Sequence, residues 1–532
     1  MRTSGAGVHR RTNIELVVLG ALAVVLVIAG ASRRDFIGDG VRHLPAALSA
    51  HPQFGEARWV MFPPLLFALV RPLAAIGLID GVEAAIQPFL WLSVASGIVF
   101  LVSLGVWLRA ECHDGARRAA ALLLAGSCAP FLALFSDIAE PQIAAALAVA
   151  GLAYARVRRD DPAGAERGVV VAIVAIACAA LIYQGTILAF GMLPLVASRE
   201  TLLRRRVLGT MGAAIAIVPA AIVAAQLASG TPLGLALATT AGGERNPLAR
   251  SFMTRVSAGK YVAALLAGAP QGIVALRNFS GLPALLAGLQ DSDARTVALA
   301  AANVLRLMLG CVIVWALVGA AVRGRDWRLI IAIAVILLLP VLRNQQYAYS
   351  KFFVLWPVPV ALVALRYRAR PIAIAALLVL LSNGWLLVEE ISRGRRLYAS
   401  VQQPYRAAGP TTCWITSGWT PPLAYLWPGT TAPILGTLAT GSDPAIQTAE
   451  LTRSLRRCFC DSASVWTDTT LQDATLIANL ARHFDYGAVD LTTILLDPAR
   501  TPLSVMTPPG VHVYPDQDRQ RICHAVRAAE TR

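Results

Sequence analysis

The chain has 532 residues, of which 56% are hydrophobic and only 15% are charged. A soluble globular domain is about 25% charged, so this composition excludes a purely soluble protein and predicts that most of the chain lies in lipid. The formal net charge is +16. The arginines are spread over short loops rather than collected on one aromatic-rich face, which argues against nucleic acid as a partner.

Long apolar runs, each interrupted by arginines, recur across residues 14–388 and then stop. A helix needs about 20 apolar residues to cross the hydrocarbon, so the pattern predicts an α-helical polytopic membrane protein with about eleven transmembrane helices. A re-entrant hairpin is the alternative for the two short spans that meet near Tyr183. The predicted spans are 14–31, 86–108, 119–135, 141–157, 168–182, 184–198, 207–228, 297–321, 328–342, 352–366 and 371–388.

Basic clusters occupy every second loop between these spans. Short arginine-rich loops stay in the cytoplasm, so we expect a plasma (inner) membrane protein with a cytoplasmic N-terminus and a C-terminal tail outside. A secretory signal cleaved near Ala29-Gly30-Ala31 is the alternative for the first span, whose length favours an uncleaved helix. The clusters are Arg2, Arg10 and Arg11; Arg109, Arg117 and Arg118; Arg156, Arg158, Arg159 and Arg167; Arg199 and Arg204 to Arg206; Arg323, Arg325 and Arg328; Arg366, Arg368 and Arg370.

The first outer loop, residues 32–85, is too long for a simple connector. It contains Asp35, Asp39 and His43, side chains that can accept or donate a proton. A surface residue without a chemical role is the alternative for His43. Residues 63–79 are apolar but interrupted by Arg71 and Pro72, which predicts a helix that lies at the membrane surface or dips into it.

The second outer loop is short and places two carboxylates, Asp137 and Glu140, directly before Pro141. At this spacing the two side chains can face the same way, and the start of the following helix stabilises their charge. A simple helix cap, with Pro141 in the first turn, is the alternative.

A later outer loop carries two cations, Arg343 and Lys351, and two tyrosines, Tyr347 and Tyr349. Cations on the outer face run against the usual charge bias, which favours a bound anion such as phosphate. An ordinary interfacial belt of aromatic and basic residues is the alternative.

The tail, residues 391–532, alternates predicted strands at 413–417 and 463–468 with predicted helices at 445–457 and 473–484, which indicates a small extracytoplasmic α/β domain. Its four cysteines predict disulfides, because disulfides form in oxidising compartments. We expect Cys413 and Cys523 each to bridge to one member of the pair Cys458 and Cys460. A metal site is the alternative, although no histidine spacing supports it.

Taken in order, residues 14–388 resemble the GT-C class of integral-membrane glycosyltransferases, such as the dolichyl-phosphate-mannose mannosyltransferases and the aminoarabinose transferases. The resemblance is carried by an acidic motif after the first helix, a Pro-Pro-Leu-Leu segment before the second, an acidic residue after the second outer loop, and a basic, aromatic stretch entering a late helix through a Pro-x-Pro step. In this sequence the motifs are Asp35 with Gly38-Asp39-Gly40, Pro63 to Leu66, Asp137, and Lys351 to Pro359.

The resemblance implies roles for these residues. Asp39, or else Asp35, is expected to act as the base toward an acceptor hydroxyl; many members have adjacent acids here, whereas these two lie four apart. Asp137 and Glu140 are expected to bind a divalent metal, Mg²⁺ or Mn²⁺, or the acceptor. Arg343 and Lys351 are expected to hold the departing phosphate, and His43, Tyr347 and Tyr349 are further candidates.

The sequence therefore predicts a GT-C-like catalytic domain at residues 1–390 and an extracytoplasmic domain at residues 391–532. The expected activity is transfer of a sugar from a polyprenyl-phosphate donor to a glycan, lipid or protein acceptor of the cell envelope. The alternatives are a transporter or flippase and a polysaccharide polymerase or ligase. A transporter is disfavoured because the predicted spans show few buried charges apart from Arg306 and no internal repeat.

Overall fold

The computed structural model describes residues 5–33, 60–79, 81–137, 141–161, 164–228, 233–240, 259, 262, 264–276, 282–342, 353–407, 412–415, 453, 455–468, 504–506 and 511–530. Most of these residues are helical. The helices are α1 Gly5–Ser32, α2 Phe62–Ala75, α3 Gly81–Glu111, α4 Gly115–Ser127, α5 Ala129–Leu134, α6 Pro141–Arg158, α7 Gly164–Ile182, α8 Leu193–Val196, α9 Arg199–Leu202, α10 Arg205–Ala228, α11 Leu233–Thr240, α12 Leu282–Leu289, α13 Ala294–Arg323, α14 Trp327–Leu342, α15 Pro357–Ala364, α16 Ala369–Ala407 and α17 Asp516–Glu530.

Six helices in the described part of the chain are long and apolar enough to cross a membrane, so the protein is an α-helical polytopic membrane protein. Each of these helices overlaps a span predicted from hydropathy. The candidate segments are Ile14–Ser32, Ile86–Glu111, Gly164–Ile182, Arg205–Ala228, Ala294–Arg323 and Ala369–Ser392. The total of about eleven crossings stays a prediction.

Three predicted spans are not single α-helices. In span 352–366 the α-helix is limited to α15, Pro357–Ala364. Residues 184–198 begin as a 3₁₀ helix, Gln184–Met192, which continues into α8. Residues 119–135 form α4 and α5, which are separated at Cys128, a residue with extended backbone (φ −58°, ψ 142°). Pro130 stands in the first turn of α5, where its missing N–H costs nothing. The prediction of one continuous helix here was wrong.

Asn383 of α16 supplies the hydrogen bonds that this break requires. Its Nδ2 donates to the carbonyl of Ser127 at 2.7 Å and to that of Ile273 at 2.8 Å, and its Oδ1 accepts from the backbone N–H of Ala275 at 2.8 Å. The backbone N–H of Ala129 also donates to Ile273 O at 3.1 Å. Since lipid offers no partners, interrupted backbone at membrane depth is stable only when the protein satisfies it in this way.

Ion pairs tie together helix ends that the arginine pattern assigns to the cytoplasmic side. Glu15 of α1 is fully buried and pairs with Arg109 of α3 and Arg118 of α4, both at 3.1 Å. Glu111 pairs with Arg156 at 2.6 Å. Further pairs on these loops join Glu166 to Arg204 at 3.0 Å, and Asp326 to Arg366. These helix ends therefore lie together at one end of the bundle, as expected if every second loop is basic and faces the same side.

The tail contains a four-stranded sheet in the order β1-β2-β4-β3, with β1 Thr412–Ile415, β2 Ser464–Asp468, β3 Ser504–Met506 and β4 Val511–Val513. β1 and β2 are parallel, and the other pairs are antiparallel. Both strands predicted from the sequence are present. The predicted helix at 473–484, and most of that at 445–457, lies outside the described residues.

Two disulfides close the tail, between Cys413 and Cys458 and between Cys460 and Cys523. This is one of the two pairings expected from the sequence, in which each member of the adjacent pair bridges to a distant cysteine. Next to them, the ring of Tyr514 packs edge-on against Phe459, with centroids 5.1 Å apart. Burial raises the pKa of the Tyr514 phenol.

Candidate active site

Among the non-cysteine residues predicted to form the site, Asp137 lies within the described part of the chain. The others lie outside it, so their predicted roles stay predictions. They are Asp35, Asp39, His43, Glu140, Arg343, Tyr347, Tyr349 and Lys351.

Asp137 ends the turn that follows α5 and is fully buried. Its backbone N–H donates to Leu134 O at 2.9 Å, and its carbonyl accepts from Gln142 Nε2 at 3.1 Å. The same Gln142 nitrogen donates to Ser93 Oγ at 2.9 Å. These contacts bind the loop before α6 to both α3 and α6, so the Asp137 backbone has little freedom to move.

Arg33, which directly follows α1, is the partner of this carboxylate and is 2% exposed. Its Nε lies 3.7 Å from Asp137 Oδ1, and its Nη2 lies 3.6 Å from Glu390 Oε2 of α16. Its Nη1 donates to Ser136 Oγ at 3.1 Å and to Ala133 O at 3.3 Å. One guanidinium thus joins neighbouring ends of α1, α5 and α16, using the several donors that its fork provides.

A second contact between α1 and α16 lies beside the first. Arg395 Nε donates to the carbonyl of Ser32 at 2.8 Å. The last turn of α1 leaves backbone carbonyls without partners inside the helix, and a cation near that end is favoured by the helix dipole. Arg395 therefore stabilises the end of α1 from which the acidic outer loop begins.

Arg33 is not among the site residues predicted from the sequence, although its position in the sequence carries a signal. An arginine that follows an apolar span on the outer side runs against the positive-inside bias, as Arg343 and Lys351 do. Some charged side chains near helix ends are nevertheless buried, among them those of Glu15, Arg33 and Asp137. Each has a charged partner within 4 Å, so these charges are explained by structure and do not point to a transport pathway.

The local charge at Asp137 bears on metal binding. The Arg33 guanidinium lies 3.7 Å from it and competes with any cation for the carboxylate. Within the described residues, no group of three histidine, cysteine or acidic side chains is placed to hold a metal ion. Asp137 is therefore better suited to a hydrogen-bonding and orienting role than to a metal site made from described residues alone.

The apolar helix expected in the later part of the first outer loop is α2, which buries Phe62, Leu66 and Val70 on one face. Phe62 packs on Phe89 of α3, with ring centroids 5.3 Å apart. The backbone N–H of Met61 donates to Leu181 O at 3.0 Å, which fixes the start of α2 to the end of α7.

Beside the start of α2 lies an apolar cavity of about 320 Å³. Its walls come from the ends of α7 and α10 and the residues before α2, and they offer almost no polar surface. Such a wall suits a hydrocarbon chain better than a sugar. The lining residues are Val60, Met61, Leu181, Ala221, Ala224, Ala225 and Ala228.

No protein-family model and no curated protein matches the sequence. Solved structures that are similar over nearly their whole length include the crystal structure of ArnT from Cupriavidus metallidurans bound to undecaprenyl phosphate and that of the same protein in the apo state. The first has 16% identity and a TM-score of 0.48, covering 94% of this chain and 97% of that chain. The second has 15% identity and a TM-score of 0.46, covering 94% and 98%. At these values neither structure establishes the family or the activity of this chain.

Proposed function

We propose that this protein is a membrane glycosyltransferase that moves a sugar from a polyprenyl phosphate to a glycan, lipid or protein acceptor on the outer face. The observation that carries the proposal is the Arg33–Asp137 pair. Arg33 stands two residues before Asp35, so its Cα is within about 7 Å of the start of the acidic motif. The pair supports the proposal because it brings the residue at the start of the first loop next to Asp137, about a hundred residues later in the sequence.

The proposed reaction is a substitution at the anomeric carbon of the donor sugar. The bond between that carbon and the phosphate oxygen breaks, and its electron pair leaves with the phosphate. The acceptor oxygen forms the new bond and gives its proton to a carboxylate. Asp39 is our first choice for this base and Asp35 our second, because a carboxylate within hydrogen-bond reach lowers the barrier to losing the proton.

The remaining residues have supporting roles in the proposal. Arg343 and Lys351 stabilise the negative charge that develops on the leaving phosphate, with Tyr347 and Tyr349 as neighbouring donors. Asp137, held by Arg33, orients the acceptor, with Glu140 and His43 as further polar contacts. A divalent metal, if one takes part, would bind at Asp137 and Glu140, where the Arg33 guanidinium competes with it for the Asp137 carboxylate.

The lipid part of the donor is the second component of the proposal. The apolar cavity beside Met61 and Leu181 offers a surface for a segment of a polyprenyl chain, and α2 leads from it toward α3. Burying hydrocarbon there contributes roughly 25 cal/mol per Å² of apolar surface.

The test is transfer of radiolabelled sugar from polyprenyl phosphate by the purified full-length protein. We expect Asp39→Asn to lower the rate by about a hundredfold or more, because the amide cannot take a proton. Asp35→Asn tests the second candidate for the base. Asp160→Asn is the control, because the Asp160 side chain is 84% exposed and lies in a basic loop.

Full activity in both aspartate variants would exclude the proposed base. Counterflow of a substrate in proteoliposomes without any covalent product would instead assign the protein as a transporter.

A further inference from the structure

α1 and α16 make two contacts with each other, and each side supplies the arginine of one contact. Arg33 reaches from the end of α1 to Glu390 at 3.6 Å, and Arg395 reaches from α16 to the carbonyl of Ser32 at 2.8 Å. Glu390 and Arg395 are about 7.5 Å apart along the helix axis, at 1.5 Å per residue. Because the two contacts lie at different positions along the axis of α16, together they restrict both its position and its rotation relative to α1.

The same guanidinium extends this link to Asp137. The Nε of Arg33 faces Asp137 and its Nη2 faces Glu390, so the guanidinium lies between the two carboxylates. The Asp137 and Arg33 side chains are 1% and 2% exposed, whereas that of Glu390 is 37% exposed. Solvent therefore screens the Arg33–Asp137 pair little. The Arg33–Glu390 pair is more open to solvent.

α16 continues past Glu390 into the first residues of the tail. It is unbroken from Ala369 to Ala407, about 58 Å at 1.5 Å per residue, which exceeds the thickness of the hydrocarbon core. The helix that carries Glu390 is thus continuous with residues 391–407 at the start of the tail.

We infer that Arg33 and Glu390 are positioning residues that couple Asp137 to α16. Neither residue is assigned a contact with the reacting atoms. Glu390 sets the orientation of Arg33, and Arg33 sets that of the Asp137 carboxylate. The catalytic part of this inference rests on the proposed function, whereas the coupling of α1 to α16 does not.

The kinetic test uses full-length protein in lipid nanodiscs and the variant Glu390→Gln. We expect kcat for sugar transfer to fall at least about tenfold, because small misplacements of an orienting group are costly, while KM for the polyprenyl-phosphate sugar stays within about twofold. Glu166→Gln is the matched control: its carboxylate is 25% exposed, pairs with an arginine of another segment and lies at the opposite end of the helices.

A double variant tests whether the two contacts act as one clamp. If they do, Glu390→Gln with Arg395→Gln lowers kcat by little more than either change alone. Multiplied effects of the two single changes would overturn the shared clamp.

Hydrogen exchange tests the coupling without reference to activity. We expect the backbone amides from Ile28 to Phe36 to exchange faster in Glu390→Gln than in wild type or in Glu166→Gln, because the end of α1 loses an anchor. Unchanged exchange overturns the clamp. Faster exchange with unchanged kcat overturns the positioning role. A wild-type protein that transfers no sugar would overturn the proposed function, and the exchange experiment would still decide the clamp.

Discussion

At the scale of single residues, the ends of α1, α5 and α16 meet at one buried arginine. Arg33 is surrounded by two carboxylates and two backbone or hydroxyl acceptors, and its charge is the partner of an Asp137 that has almost no contact with solvent. Removing one partner of a buried ion pair leaves the other charge without compensation, which costs far more than losing a surface pair.

We therefore predict that Arg33→Ala destabilises the protein by about 3 kcal/mol. The measurement is the apparent Tm in detergent. Arg158→Ala is the control, because Arg158 and Asp161 form a pair in which both side chains are more than 40% exposed, and we expect it to cost less than about 1 kcal/mol. The double variant Arg33→Ala with Asp137→Ala should recover part of the loss, since the unpaired carboxylate is gone. Equal shifts for Arg33→Ala and Arg158→Ala would contradict the assigned burial cost.

At the scale of elements, α4 and α5 show why an interrupted helix can exist in lipid. The break at Cys128 exposes backbone groups, and Asn383 binds two carbonyls and one N–H around it. Pro130 signals the break in the sequence, and Asn383 is a single amide inside an otherwise apolar span. Hydropathy alone joins residues 119–135 into one helix, because it averages over Pro130 and cannot pair residues about 250 positions apart.

Asn383→Ala leaves three buried backbone groups with one partner fewer, and each unpaired group costs about 1–3 kcal/mol. We expect a large drop in the apparent Tm, or loss of folded protein on expression. Ser96→Ala is the control: its buried hydroxyl donates only within its own helix, to Leu92 O at 2.8 Å, so its removal should be nearly neutral. If Asn383→Ala and Ser96→Ala behave alike, the break is held by packing and not by the amide.

At the scale of the whole molecule, the sequence predicts much of the framework. Hydropathy locates six long spans that the structure contains, and the tail cysteines pair as expected. These features follow from local composition, which fixes whether a segment suits lipid or an oxidising compartment. The cluster of Arg33, Asp137 and Glu390 could not be predicted in the same way, because it depends on which helix ends meet in three dimensions.

The arrangement of charges also predicts which side of the membrane each end occupies. At one end of the helices the basic loops form ion pairs with Glu15, Glu111 and Glu166. At the other end Arg33 pairs with Asp137 and Glu390. Since basic loops are retained in the cytoplasm, the Arg33 end and the tail should face outside.

Cysteine labelling measures this directly. The side chains of Asp160, in a basic loop, and Asp516, in the tail, are 84% and 82% exposed, so they form a matched pair. In a background without the free cysteines Cys112, Cys128, Cys178 and Cys311, a thiol reagent that cannot cross the membrane should label Asp516→Cys in intact cells and Asp160→Cys only after the membrane is opened. The reverse order of labelling would place Arg33 and Asp137 on the cytoplasmic side, where a polyprenyl-phosphate donor could no longer serve an outer acceptor.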